Sequence, residues 1–297
     1  MRKYIFLIVL ISYFGLGEIK GREIIEIAPL FEYPVAPEDM ESLEERCDYI
    51  VKNFWSPFDF KKKQAIDQYA LNEAFHVYSS AFRFATLKEV NQSVDQLIKN
   101  VSSNPVYLLQ FTRAAEENLY GPRADFWSDE IYLKFIDSVI KNKKIPQNRK
   151  DKYIKQAKSL RESSIGSTAP SFWFQDKERA SKQYFPMSTP TILIFGDPED
   201  TDWRLTRLKM DSNYKLNDAL TKGKVNILFI IPREMDNWQT GVSNYNKYWT
   251  IGQSNDASSI YDLRLSPAIY VIDSNGKIIN KNLTADQAVE ELLLQIN

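Results

Sequence analysis

The chain has 297 residues, 43% of them hydrophobic and 13% aromatic, with 38 basic against 39 acidic side chains and a formal net charge of −1. Its length and apolar content allow two domains with cores of their own, and the even charge balance excludes the basic stripe that nucleic acid requires. One cysteine and one histidine exclude an internal disulfide and a structural zinc site of the usual nitrogen–sulfur type.

Arg2 and Lys3 precede an apolar run from Tyr4 to Leu16, with Gly15 and Gly17 ahead of Glu18. A short positive segment, a run shorter than a bilayer span and small residues spaced as at a cleavage site mark a secretory signal. Residues 1–17 are therefore expected to be a signal peptide, with 18–38 an N-terminal extension. The alternative is an uncleaved anchor. The mature chain is expected to be exported, periplasmic or envelope-associated, with no further transmembrane segment; no cysteine follows the run to serve as a lipobox.

Residues 39–162 carry the rhythm of helices. In LEERCDYIVKNF, Leu43, Cys47, Ile50, Val51 and Phe54 recur at helical spacing, which makes Cys47 a small hydrophobe on a buried face rather than a reactive thiol. His76, in AFHVYSSAF, is expected to be a partly buried, satisfied histidine, since nothing near it supplies a nucleophile. Thr86 to Glu89 reads as a capping box, followed by an apolar stripe of Val90, Val94, Leu97, Ile98 and Val101. Asn104-Pro105 opens the next helix and Gly121-Pro122 closes it. Ser128 with Asp129 and Glu130 opens another, ending in Lys141, Lys143 and Lys144 before Pro146, and a last helix is expected over 148–161. Short loops between these helices imply a compact all-α bundle.

The small residues of Ser163 to Ser171 mark a domain boundary, and 163–297 alternate strand and helix. Thr191–Phe195 and Val225–Ile231 are continuous apolar runs, as in strands covered on both faces. Pro267–Ile272 is a third, turned by Asp273-Ser-Asn-Gly276 into a hairpin with Lys277–Ile279. Thr284 to Gln287 caps a final helix whose apolar face is Val289, Leu292, Leu293 and Ile296. The expected fold class is thus α+β in two domains, an all-α bundle followed by a small α/β sandwich.

Three stretches of the second half resemble the thioredoxin fold, in its exported thiol–disulfide reductase and peroxiredoxin-like branch. GSTAPSFWF (Gly166–Phe174) resembles the family's opening, ILIFGDPEDTDW (Ile192–Trp203) its strand and active-site turn, and YDLRLSPAIYVIDSNGKII (Tyr261–Ile279) its cis-proline loop and hairpin. NFWSPFDF, NPVYLLQFTRAAEENLYGP and WSDEIYLKFIDSVI resemble an uncharacterised helical domain that precedes thioredoxin-like domains in exported proteins of Bacteroidales-type bacteria. The resemblance implies a thioredoxin-like C-terminal fold and a cis bond before Pro267. It also implies that Asp200 and Trp203 stand where the attacking and resolving cysteines belong, with Thr201 and Asp202 between them.

That substitution decides the expected chemistry. The fold activates a cysteine by holding its thiolate at a helix N-terminus; a carboxylate there is ionised but cannot exchange with sulfur. No cofactor is implied. Asp197, Glu199, Asp200 and Asp202 crowd one turn, which would suit a hard cation or an acid/base pair, but acids at a helix start are more simply caps. Trp238, Tyr245, Tyr248 and Trp249 would stack on a ligand or pack an irregular insertion onto the core, the second being the plainer reading. The expected function is therefore a redox-inactive binding, scaffolding or assembly protein. Its partner would be an envelope protein or peptide, met at Trp203, Ser266 and Pro267. The alternative is an enzyme of another class built on the acidic turn, with or without a metal.

Overall fold

The computed structural model describes residues 28–62, 65–186 and 188–296. The segment expected to be a signal peptide lies outside them. Six helices build the N-terminal domain: α1 (Leu43–Asn53), α2 (Gln68–Ser80), α3 (Leu87–Val101), α4 (Pro105–Leu119), α5 (Asp129–Lys141) and α6 (Gln147–Glu162). Their starts are fixed by side-chain caps: Ser42 for α1, Asp67 for α2, Asn104 for α4 with Pro105 in the first turn, and Ser128 for α5. The core between them is rich in rings, Phe54, Trp55, Phe75, Tyr78, Phe111 and Phe135 among them. Phe31, in the expected extension, already packs edge-on against Phe54 and Trp55 with ring centres 5.6 and 5.5 Å away.

Three expectations for this half are corrected. Leu43 is 58% exposed, because it is the first residue of α1 and projects beyond the packed stripe of Cys47 and Val51. His76 is exposed rather than partly buried, since α2 turns Leu71, Ala74, Phe75 and Tyr78 inward; its imidazole stands 3.8 Å from Asp125 at the surface. Thr86 does accept from the Glu89 N–H, but Glu89 does not reach back. Asp48 of α1 takes the Thr86 N–H instead, at 2.7 Å, so the second half of the cap is a tertiary contact. Cys47 is buried.

The C-terminal domain is one mixed sheet in the order β2-β1-β5-β4-β3-β6-β7. The strands are β1 (Phe172–Asp176), β2 (Ser181–Tyr184), β3 (Thr191–Phe195), β4 (Asn226–Ile231), β5 (Thr250–Gln253), β6 (Ala268–Ile272) and β7 (Ile278–Lys281). β3, β4 and β5 run parallel, while β6 and β7 return antiparallel, with Gly276 at φ +75° in the hairpin turn. All five residues of β3 and of β6 are buried, as strands covered on both faces require. One face is covered by α7 (Thr201–Ser212), α8 (Tyr214–Thr221), the short α9 (Trp238–Gly241) and α10 (Ala285–Leu294), which opens on the expected Thr284–Gln287 capping box. The other face packs Phe172, Phe195, Tyr261 and Tyr270. No helix among the described residues is long and apolar enough to cross a membrane.

Candidate functional site

β3 ends at Phe195, and the chain passes through Gly196 and the acidic turn before α7 begins. A Cβ on Gly196 would lie 3.2 Å from Phe229, 3.5 Å from Pro267 and 3.7 Å from Trp203, so glycine gives the end of β3 its closest fit against the Phe229 ring, beside Pro267 and Trp203. Sequence reading passed over Gly196; its position directly after an apolar strand was the available signal.

Asp200 is the N-cap of α7: its Oδ1 accepts the Asp202 N–H at 2.9 Å. Its other oxygen accepts the Ser266 hydroxyl at 2.7 Å. The Ser266–Pro267 bond is cis, and Pro267 delivers the chain into β6 beside β3. Asp200, Ser266 and Pro267 therefore share one surface, together with the exposed Thr201 and Asp202. Pro267 remains partly exposed there. Neither the N–H nor the C=O of Leu265 or Ser266 makes a hydrogen bond within the described residues.

Trp203 does not belong to that surface. Its side chain is 0% exposed, so its expected role as a contact residue for a ligand is corrected. The indole lies flat on Phe229, ring centres 4.1 Å apart and planes 4° from parallel, and its N–H donates to the Tyr245 hydroxyl at 2.7 Å. Trp203 is core instead: one turn into α7 the helix faces the sheet, and a large ring placed there is drawn inward. The insertion after β4 completes this packing. Trp238, Tyr245 and Trp249 are buried against the same cluster, and only Tyr248 is exposed.

The other acids have structural partners or none. Asp197 accepts Arg233 Nη2 at 2.6 Å and the Glu199 N–H at 2.9 Å. Burial alone would raise its pKa, but that N–H and the guanidinium outweigh it and hold the carboxyl below its ordinary value. Glu199 and Asp202 point to solvent. Among the described residues, no three His, Cys, Asp or Glu side chains converge as metal ligands would. What the arrangement offers is a short stretch of unpaired backbone beside a cis-proline. The chain's one thiol is not placed there, since Cys47 packs in the core of the helical domain.

Residues 17–163 match a family described as Domain of unknown function (DUF5106). No curated protein matches the chain. Among solved structures, a thioredoxin-like protein from Bacteroides caccae, 18% identical, aligns over 90% of this chain and 99% of its own with a TM-score of 0.72. A conserved protein of unknown function from Bacteroides fragilis, 22% identical, covers 44% of this chain and 99% of its own at a TM-score of 0.41. The thioredoxin domain of a thiol-disulfide oxidoreductase from Bacteroides vulgatus, 18% identical, covers 45% of this chain and 99% of its own at 0.39. At 18% identity the first of these is a likeness of fold.

Proposed function

From a thioredoxin-like fold carried behind a helical domain of uncharacterised kind, we propose that the chain is an exported, redox-inactive protein that binds an extended peptide or protein segment beside Pro267. The observation that carries this reading is the free backbone of Leu265 and Ser266, which lies next to the cis-proline. Unpaired backbone of that kind, in the bend that leads into β6, can take main-chain hydrogen bonds from an extended chain and needs no thiol. Asp200 at the head of α7 keeps the helix capped where a nucleophilic cysteine would otherwise stand. The residues 1–17 signal peptide, the division of the mature chain near Ser163–Ser171 and residence in the cell envelope belong to the same proposal.

A random-peptide display library selected on the wild-type chain and counter-selected on Ser266→Trp tests it. Peptides retained by the first and lost by the second are expected. A library that yields no such peptide sinks the binding role. Insulin reduction should be blank at any protein concentration, and measurable turnover overturns the redox-inactive part.

A further inference from the structure

The loop that ends in the cis-proline is gripped by the helical domain. Arg264, three residues before Pro267, has a side chain only 2% exposed. Its Nε donates to Asp262 Oδ2 at 2.7 Å within the loop, while Nη2 reaches across to Asp129 Oδ1, the first residue of α5, at 2.5 Å. The guanidinium lies over the Tyr120 ring, 4.1 Å from its centre, with Trp127 5.7 Å away. Lys281 of β7 pairs with Asp129 at 2.7 Å and stands 3.7 Å from Asp262, whose side chain is fully buried. The helical domain contributes two further holds: Tyr120 donates its hydroxyl to Asp262 Oδ1 at 3.3 Å, and Ser163, at the end of α6, accepts the Asp262 N–H at 3.1 Å. From inside the sheet, the Tyr270 hydroxyl donates to the Asp262 carbonyl at 2.6 Å.

Two cations and the Asp262 carboxylate are thus taken out of water at one junction, with Asp129 partly buried beside them and aromatic walls supplied by the helical side. A cluster of this kind costs desolvation and adds little net stability, but it fixes geometry, because each charge left alone would be strongly unfavourable. What it fixes here is the Asp262–Ser266 loop. We propose that the helical domain serves as the holder of the cis-proline loop, and that Arg264 is the positioning residue through which it does so. The inference deepens the binding function proposed above, and rests on it for its biological meaning, but the positioning itself is measurable without any ligand.

Hydrogen exchange of the full chain, read on peptides spanning residues 261–267, is the test. Arg264→Met leaves buried Asp262 with only the more distant Lys281 as a cation, and where that variant does not fold, Asp129→Asn carries the measurement: Asp129 is at the helix start and 30% exposed. Asp129→Asn is expected to speed exchange in the loop by on the order of tenfold while the β3 and β4 amides stay at wild-type rates. Asp129→Glu, which keeps the charge, is expected to restore protection. Glu130→Gln is the control, because it removes a carboxylate from the same helical turn but has no contact with Arg264. Unchanged exchange in Asp129→Asn, or an equal rise in Glu130→Gln, overturns the proposal. Peptide selection that fails while the loop responds as expected sinks the binding function and leaves the positioning role standing.

Discussion

The Ser266 hydroxyl donates to the Asp200 carboxylate at 2.7 Å, tying the residue before the cis-proline to the cap of α7. The cap position is thus a double hydrogen-bond acceptor, holding the start of α7 and the proline loop at once. Asp200→Ala loses both the cap and the tie and is expected to cost about 0.5–2 kcal/mol in urea denaturation, whereas Asp200→Asn retains most of the cap. A double-mutant cycle with Ser266→Ala should give a coupling under about 1 kcal/mol, as for other exposed pairs. A larger value would mean that the tie organises more of the site than its exposure implies.

Trp203 is a costly residue to replace. Trp203→Ala is expected to destabilise by about 3–5 kcal/mol, since it empties the space above Phe229. Tyr245→Phe strands the buried indole N–H and should cost about 1–3 kcal/mol by the same measurement. Introducing a cysteine pair at Asp200 and Trp203 would therefore lower the thermal midpoint strongly. If the double-cysteine chain melts with the wild type, the stacking described here contributes far less than its geometry implies.

Cys47 is buried, and burial first, with Asp48 beside it, raises its thiol pKa above the ordinary value. Native protein at neutral pH should resist a thiol reagent such as Ellman's and react with one equivalent once unfolded in guanidinium. Rapid labelling of the native chain would return a reactive thiol to consideration.

Stability should fall on acidification. Burial would raise the Asp129 pKa, but Arg264 and Lys281 outweigh it and hold the carboxyl below its ordinary value. A carboxyl depressed in the folded state stabilises above its unfolded pKa, and that contribution drains away as pH drops through the folded one. Asp197 acts in the same sense; Asp211, raised by burial, acts in the opposite one. The urea midpoint should therefore decline below about pH 4, and more gently in Asp129→Asn. Identical acid limbs for the two proteins would remove Asp129 from the account.

Much of the fold was legible because its signals are local. β3 announces itself by four consecutive apolar residues, Ile192 to Phe195, behind a β-branched threonine, and Asn104-Pro105 and Ser128 mark helix starts by chemistry confined to one turn. β2 and β5 were not legible. SKQY and TIGQ are short, polar segments defined by the partners they find rather than by their own pattern. The same limit hid the site's inner half. That Trp203 would turn inward depended on Gly196, Phe229 and Tyr245 arriving from three separate segments. Likewise Asp129, Arg264 and Lys281 are individually ordinary surface-type residues until the topology brings them together.

The join between the two halves is itself secondary structure. Gly166 and Ala169 donate their N–H groups to Ile278 and Gly276, at 2.7 and 2.9 Å, and Ser167 accepts from Ile278 at 2.9 Å, so the connecting residues dress the outer edge of β7. A shortened gene product begun at Phe172 would bare that edge to self-association and uncover Asp262 in the same cut. Expression of the C-terminal portion for biochemistry should start upstream of Ser163, and preparations lacking the helices will test a different molecule.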